Sequence, residues 1–532
     1  MANKKIVLLI SNLQEFIYHT GAEEKKFAAE MNRLYESISY VYIPLLNMFA
    51  SLEKDGVPFR ISLVLSPVLC TLLKDPVVQR QYIAWLDAKI ELGKSELKRC
   101  EDDAAMCNVI KFHLEKAQED RFCFTAVYGQ DLLKKIAEYQ KKGCVELLAT
   151  CGTNIFLPHY ADMGEVLNAQ IETGLYAHRS FFGERAKGFW LPEAGYVPGL
   201  ERVMRTYGVD YTVLDARSFL FSDDIVEKGI FAPVVCGGET VAFARDNRTD
   251  EEVFGEKGYA SSSVYCDVNH DIAFELSSEQ IAPYFRGASS RYASGYQYYN
   301  KGAEKKGSDR LYDPVRASEQ SETDAAAFFD KKLDVLVQAE ALLPSVPQLS
   351  LVCTFSVEQF LQQWHEGVSW LENIYRYAKD KPASFSSFED IIAAQGPLQN
   401  LQPYCSASIG SGYGETLIAN KNSWMLRHAR KASERMVDLA ERFPDDTGLK
   451  ARLLNLSARE LLLAQSCTWA NMIWEGTFPE YAEARFTESI GAFIKVFESL
   501  GANTVSTEWL TSYEAKHPVF PWINYRIFSK KR

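Results

Sequence analysis

Two hydrophobic patterns alternate along this chain. Short runs in which nearly every residue is apolar occur at 6–10, 59–65, 145–149, 209–214, 240–244 and 349–355. Such runs predict strands buried on both faces, as in a parallel sheet. Between them, apolar residues recur at helical spacing over 23–54, 68–98, 104–118, 131–142 and 163–177, which predicts amphipathic helices. Strand–helix alternation argues for an α/β fold, either a barrel or a doubly wound sheet. The barrel is favoured, because no glycine-rich phosphate turn follows the first strand.

The pattern dissolves over 255–323 into Gly, Ser, Tyr and Asn. That length exceeds a plain connection, so the segment reads as an inserted lid or binding segment between barrel parts at 1–254 and 324–405. Its tyrosines, Tyr292, Tyr296, Tyr298 and Tyr299, favour binding over a disordered linker. Helical spacing returns at 324–342, before the last strand. After Gly410-Ser-Gly-Tyr-Gly414, read as a flexible loop, helical patterns at 419–443, 447–474 and 481–500 predict a C-terminal α-helical domain over 406–532.

Composition narrows the partners. A net charge of −12 argues against nucleic acid and against an anionic membrane surface. No apolar run approaches the ~20 residues of a membrane helix. The run at 6–10 is too short for a signal peptide core. Eleven scattered cysteines without a Cys-x-x-Cys pair predict reduced thiols, hence a cytoplasmic protein. Nothing in the sequence fixes an oligomeric state.

Several chemistries lack their residues. The eight histidines, His19 among them, form no His-Glu-x-x-His and no zinc-ligand spacing, so neither metal nor cofactor is expected. No Walker A sequence and no Gly-x-Ser-x-Gly elbow occurs. The Asp and paired His of a metal-dependent polysaccharide deacetylase are also missing. One stretch does carry chemistry: Gly188-Phe-Trp-Leu-Pro-Glu-Ala-Gly-Tyr-Val-Pro-Gly199. Pro192 holds Leu191 extended, Gly195 and Gly199 bracket a turn, and a helix is predicted from about Leu200. Glu193 then stands at the mouth of a strand between Trp190 and Tyr196. Rings beside a lone carboxylate suit a sugar, stacking on its C–H faces while the acid attacks the anomeric carbon. A buried glutamate satisfied by backbone N–H groups in a tight turn fits the same residues.

The stretch resembles the Trp-x-Pro-Glu-x-x-Tyr-x-x-Gly motif of glycoside hydrolase family 57, the α-glucan branching enzymes and amylase-like proteins, where the Glu is the nucleophile. Phe243-Ala-Arg-Asp246 and Phe355-Ser-Val-Glu-Gln-Phe-Leu-Gln-Gln-Trp-His-Glu-Gly367 are similar to two further family segments. Trp424, Arg427, Leu463-Ala-Gln-Ser466, Trp469 and Phe520-Pro-Trp-Ile-Asn524 resemble the branching-enzyme C-terminal domain. The resemblance implies an incomplete seven-stranded (β/α) barrel with an inserted subdomain and a C-terminal helical domain. It implies α-glucan or maltooligosaccharide as ligand, with Trp190, Tyr196, Arg245, Asp246, Trp364, Trp424, Trp469, Asn12 and Asn154 as substrate-binding positions.

The departures are as specific. Family histidines correspond to Ile10, Asn12, Asn154 and Arg217, the Cys after the nucleophile to Ala194, and His-Trp-Trp to Gln362-Gln363-Trp364. The general-acid Asp corresponds to Ser356, and a later Asp to Thr468. A hydroxyl is too weakly acidic to protonate a leaving sugar, and losing a positioned general acid removes on the order of 10²–10⁴ in rate. The expectation is therefore a catalytically impaired, glucan-binding branching-enzyme-like protein. The alternatives are an active retaining 1,4-α-glucan branching enzyme or 4-α-glucanotransferase using Glu193, and a non-catalytic scaffold for glycogen-metabolism enzymes. Glu358, two residues past Ser356, is the candidate substitute acid.

Overall fold

The computed structural model describes residues 2–12, 14–17, 28–238, 240–285, 288, 290–302, 307–502, 504 and 506–531. His19 and the 23–27 start of the first helical pattern lie outside them. The strands are β1 (Asn3–Ser11), β2 (Ile61–Val64), β3 (Val145–Thr150), β4 (Gly188–Trp190), β5 (Tyr211–Leu214), β6 (Val234–Cys236), β7 (Thr240–Ala244), β8 (Gln348–Ser356), β9 (Ala383–Phe385) and β10 (Asn400–Leu401). Their order is β10-β6-β7-β5-β4-β3-β2-β1-β8, with β9 also pairing β1.

From β8 through β1, β2, β3, β4 and β5 to β7, every pairing is parallel. Those seven strands curl until the end of β7 touches β8 through one parallel bridge, Arg245 to Val352, where the Asp246 N–H donates to the Val352 carbonyl at 2.7 Å. The barrel is therefore incomplete and seven-stranded, as the resemblance implies. β6 pairs antiparallel to β7 and lies outside the ring.

Alternate residues explain why the strands are apolar throughout. Val7, Leu9, Val64, Leu148, Trp190, Tyr211, Val213, Phe243 and Val352 fill the barrel interior with Phe388 and Ile391. Their neighbours, such as Ile6, Leu8 and Ile10, pack outward against helices. Glu146 accepts N–H groups of Phe388 and Glu389, which opens the helix Phe388–Ala394, together with the Tyr211 and Ser62 hydroxyls.

Three predicted helices are broken, one of them the 447–474 pattern at Ser466–Cys467. The 68–98 pattern splits into Pro67–Lys74 and Pro76–Arg99, because Pro76 cannot continue a helix and Asp75 caps the second through the Val77 N–H. The first helical pattern carries a π-turn at Ile38–Tyr42 between Ala28–Ser37 and Ile43–Lys54. The inserted segment packs on the helix Pro76–Arg99: the Tyr296 hydroxyl donates to the Lys89 carbonyl at 2.9 Å and the Tyr298 hydroxyl to Glu96 at 3.0 Å. Gly93 permits this, since a Cβ there would lie 2.0 Å from the Tyr296 oxygen. Both tyrosines are fully buried, which corrects the binding role assigned to them. The C-terminal helices are Ser423–Arg442, Gly448–Ala464, Thr468–Glu475, Pro479–Ala502 and Thr507–Lys516. No helix among the described residues is long and apolar enough to cross a membrane.

Candidate active site

The C-terminal ends of the parallel strands converge on a cavity of about 290 Å³. In a (β/α) barrel this is the face where loops can gather chemistry from several strands. Glu193 reaches it from the turn after β4. The turn bends sharply, with Glu193 at φ 55°, ψ 23° and Ala194 at φ 47°. Left-handed backbone at non-glycine residues costs about 1–2 kcal/mol each, so the surroundings must impose it. They do: the Ser408 N–H donates to the Glu193 carbonyl at 2.7 Å, and Tyr196 and Ser406 exchange backbone hydrogen bonds at 2.8 and 3.1 Å. The strand segment after β10 thus holds the turn open toward the cavity.

The Glu193 carboxylate accepts one hydrogen bond, from the Ser408 hydroxyl at 3.2 Å. Burial pushes its pKa up to about 7, against that hydrogen bond, and the nearby charges of Glu358 and Glu475 push it further the same way. Both of those carboxylates line the same cavity, as do Glu15 and Glu30, with Arg33 among them. No histidine lines it among the described residues.

Glu15, just past β1, escaped the sequence reading. Its Oε1 accepts from the Asn154 side-chain amide at 3.0 Å and from the Ser466 hydroxyl at 2.6 Å, and Thr468 adds a further hydrogen bond. Burial raises its pKa while these three contacts oppose the rise. Asn154 and Thr468, both singled out in the sequence, hold Glu15. No local pattern could reveal this, since the partners lie 139 and 451 residues away in sequence.

Of the residues singled out from sequence, Glu193, Asn12, Glu358, Gln362 and Thr468 line the cavity. Asn12 Oδ1 accepts from the Ser66 hydroxyl at 3.0 Å and the Gln14 N–H at 3.2 Å. The others lie elsewhere. Ser356 ends β8 and caps the helix Val357–Gln363, its hydroxyl accepting from the Gln359 N–H at 3.1 Å while the Gln359 side chain returns to the Ser356 N–H at 2.8 Å. Glu358 consequently sits in a first helical turn, not on a continued strand.

Trp190 is packed inside the barrel, not on the cavity. Tyr196 is buried with its hydroxyl donating to Glu201 at 2.8 Å. Trp364 is wedged against Tyr265 and Trp370, ring centroids 5.1 Å from each, with no solvent exposure. Trp469 is buried and donates from its indole to the Leu463 carbonyl at 2.9 Å. Trp424, half-buried, sets its ring edge-on to Phe486. Tight packing covers Trp190, Tyr196, Trp364 and Trp469, which corrects their assignment as sugar-stacking surface, while Trp424 stays partly exposed away from the cavity.

Arg245 and Asp246 are equally structural. Arg245 Nε donates to Asp215 at 3.0 Å and Nη1 to Asp250 at 2.7 Å. Asp246 receives the Lys332 ammonium at 2.7 Å and the Thr249 hydroxyl at 2.9 Å. Asp250 in turn accepts from the Gln359 amide at 3.3 Å, so this buried network braces the cavity wall from behind. The Gly410–Gly414 turn, read as flexible, is tied down: Ala407 donates to the Gly412 carbonyl, and the Arg217 guanidinium to the Ser411 carbonyl.

The profile of glycosyl hydrolase family 57 matches residues 8–310, more than half the chain. The chain belongs to that family. The C-terminal domain of 1,4-alpha-glucan branching enzymes matches residues 428–528 of this family 57 chain. A 1,4-alpha-glucan branching enzyme of Thermococcus kodakarensis is 26% identical, over 85% of this chain and 68% of its own length. Among solved structures, the alpha-amylase AmyC of Thermotoga maritima superposes with a TM-score of 0.91 at 27% identity, covering 100% of both chains. The family 57 branching enzyme of Pyrococcus horikoshii has the same fold, with a TM-score of 0.87 at 21% identity over 99% and 97% of the two chains.

Proposed function

We propose that this family 57 chain binds α-glucan in the Glu193 cavity and cleaves it slowly or not at all. The relatives are named as branching enzymes and an amylase. Retaining chemistry on a glucan needs a nucleophilic carboxylate and a second carboxyl group roughly 5–5.5 Å away. One observation carries the impairment: Ser356, where the resemblance places the general acid, caps its own helix and is absent from the cavity lining. The missing imidazoles remove further contacts to the transition state. The charge state of Glu193 is a minor factor, because a pKa of about 7 leaves it half-ionised at neutral pH. Asn12, Gln362 and Asn471 on the cavity wall supply hydrogen bonds to sugar hydroxyls, and Phe478 a ring face.

A second reading, an active branching enzyme or glucanotransferase, draws on Glu358. It lines the same cavity and its charge acts on Glu193, so a second carboxyl stands within electrostatic reach of the nucleophile. Amylose branching and turnover of α-glucosyl fluoride, which needs no proton donor, separate the readings in wild type, Glu193→Gln and Glu358→Gln. Impairment predicts no branching, with slow fluoride turnover that Glu193→Gln abolishes and Glu358→Gln spares. Branching that Glu358→Gln abolishes establishes the active enzyme instead. Retarded migration through glycogen gels reports binding. A chain that neither migrates slowly nor turns over fluoride is left with the third role, a scaffold for glycogen-metabolism enzymes.

A further inference from the structure

A larger cavity, about 510 Å³, shares no lining residue with the Glu193 cavity. It lies between the π-turn and the helix after it, the helix Ala104–Phe122, the start of the helix Pro314–Leu342, and the segment following Trp364. Consecutive elements serve the two cavities. The helix Ala28–Ser37 gives Arg33 and Ser37 to one and the stretch after it gives Tyr40 and Pro44 to the other, while Gln362 and His365, on either side of Trp364, divide likewise.

The floor is built with care for ring orientation. Tyr40 and His365 stack with centroids 3.9 Å apart and planes 10° from parallel. The π-turn presents Tyr40 there, and its hydroxyl is fixed by Lys89 at 2.8 Å and the Gly295 carbonyl at 3.2 Å. π-turns inside helices frequently mark functional sites. His113 meets the Gln297 carbonyl through Nε2 at 2.7 Å, which places its proton there and leaves Nδ1 an acceptor. Phe112 and Tyr312 add two more rings to the wall.

Charge does not select the occupant. Lys116 pairs with Asp120 at 3.1 Å, Arg376 with Glu372 at 2.6 Å, and Lys301 acts on Glu366. What remains on the enclosed wall is polar and neutral, with Glu119 exposed at the rim. Ser318 and Ser369 line the walls with hydroxyls that can donate or accept, and Ser321, which accepts from the Asn373 amide, with one that can donate. Glu366, only 9% exposed, accepts the Cys266 N–H through Oε1, and the Tyr312 hydroxyl lies alongside it. Its buried Oε2 has no hydrogen bond of normal geometry among the described residues. A buried acceptor in that state calls for a donor from an occupant. A neutral molecule with many hydroxyls and apolar C–H faces satisfies rings, serines and carboxylate together, and the volume suits a small ligand.

We propose that this cavity is a second, non-catalytic carbohydrate site that takes the end of a maltooligosaccharide, with a sugar hydroxyl donating to Glu366. The inference rests on the reading of the chain as a glucan binder, and the test separates the two. Maltotriose is titrated calorimetrically into the full-length wild type, Ser318→Trp and Ser369→Trp, which plug the second cavity from its exposed rim, and Gln362→Trp, which plugs the Glu193 cavity. Two rim variants on different helices guard against a single misfolded one. The expected result is two equivalents bound by wild type and one by each variant. One equivalent that both rim variants keep and Gln362→Trp loses overturns the second site and leaves the Glu193 reading intact. One equivalent that the rim variants lose and Gln362→Trp keeps supports the second site and removes glucan from the Glu193 cavity. No binding by any protein overturns both.

Discussion

Replacing Glu193 by Gln should stabilise the protein, by an amount that grows from about pH 4.5 to about pH 7. Glu193 has a folded pKa of about 7 against an ordinary 4.5, with burial as the leading cause and the charges of Glu358 and Glu475 adding to it. Below pH 4.5 the carboxyl is protonated whether the chain is folded or not, and the site carries no penalty. As pH rises the unfolded chain releases its proton first, so folding stability falls until pH passes about 7 and then levels off. The gap between 4.5 and about 7 corresponds to about 3 kcal/mol. Water entering the open mouth of the cavity screens the half-buried carboxylate, so about 1–2 kcal/mol is the realistic size. Gln keeps the shape and cannot ionise. Calorimetric unfolding from pH 4 to pH 8 should therefore show nearly coincident transitions at pH 4. At pH 8 the Gln variant should lead by about 1–2 °C, given the entropy of unfolding of so long a chain. Glu358→Gln should shrink the difference, because its charge helps raise Glu193. A gap that does not change with pH, or a Gln variant that melts earlier at pH 8, would refute the reasoning and mean that Glu193 is folded as a stabilised anion.

Three further outcomes are expected. Ser356→Asp should leave stability within about 0.5 kcal/mol, since Asp and Ser cap helices equally well. It should also leave amylose branching at background, because a capping carboxylate stays ionised and faces its own helix; a large gain in branching contradicts this. Lys332→Met leaves Asp246 a buried carboxylate without its ammonium, while Glu252 keeps Lys331, which should remove about 3 kcal/mol of stability in urea unfolding. Gly174→Ala sets two effects against each other. Helix propensity favours Ala by about 1 kcal/mol. The new Cβ would sit 1.7 Å from the Thr150 carbonyl oxygen, so the helix must lift off β3 and melting should drop, not rise.

The barrel was legible because its strands are apolar on both faces, a pattern that survives without knowing which strand pairs with which. The strands missed were short. Val234–Cys236, Ala383–Phe385 and Asn400–Leu401 have two or three residues each, too few to show a period, and their partners define them. Pro76 announced one helix break, whereas the break at Ser466–Cys467 inside the predicted 447–474 helix has no glycine or proline behind it. There the chain turns to bring Ser466 to Glu15 and the Cys467 N–H to the Asn154 carbonyl. The site was legible where motif and backbone strain coincide, at Glu193. It was illegible for the aromatics: Trp190, Trp364 and Trp469 have the right ring chemistry, and only the tertiary packing reveals that their faces are covered.

The clamp on Glu15 also dates the cavity. One oxygen near residue 15 is gripped from residues 154 and 466, so three regions far apart in the chain must meet before the pocket has walls. During synthesis the barrel strands through β8 can already pair while the last helices are still inside the ribosome. Contacts across such separations close slowly, after local structure is in place. A nascent or C-terminally clipped molecule would thus own a barrel with an unfinished rim, and its capacity to hold a ligand would switch on only as the tail arrives.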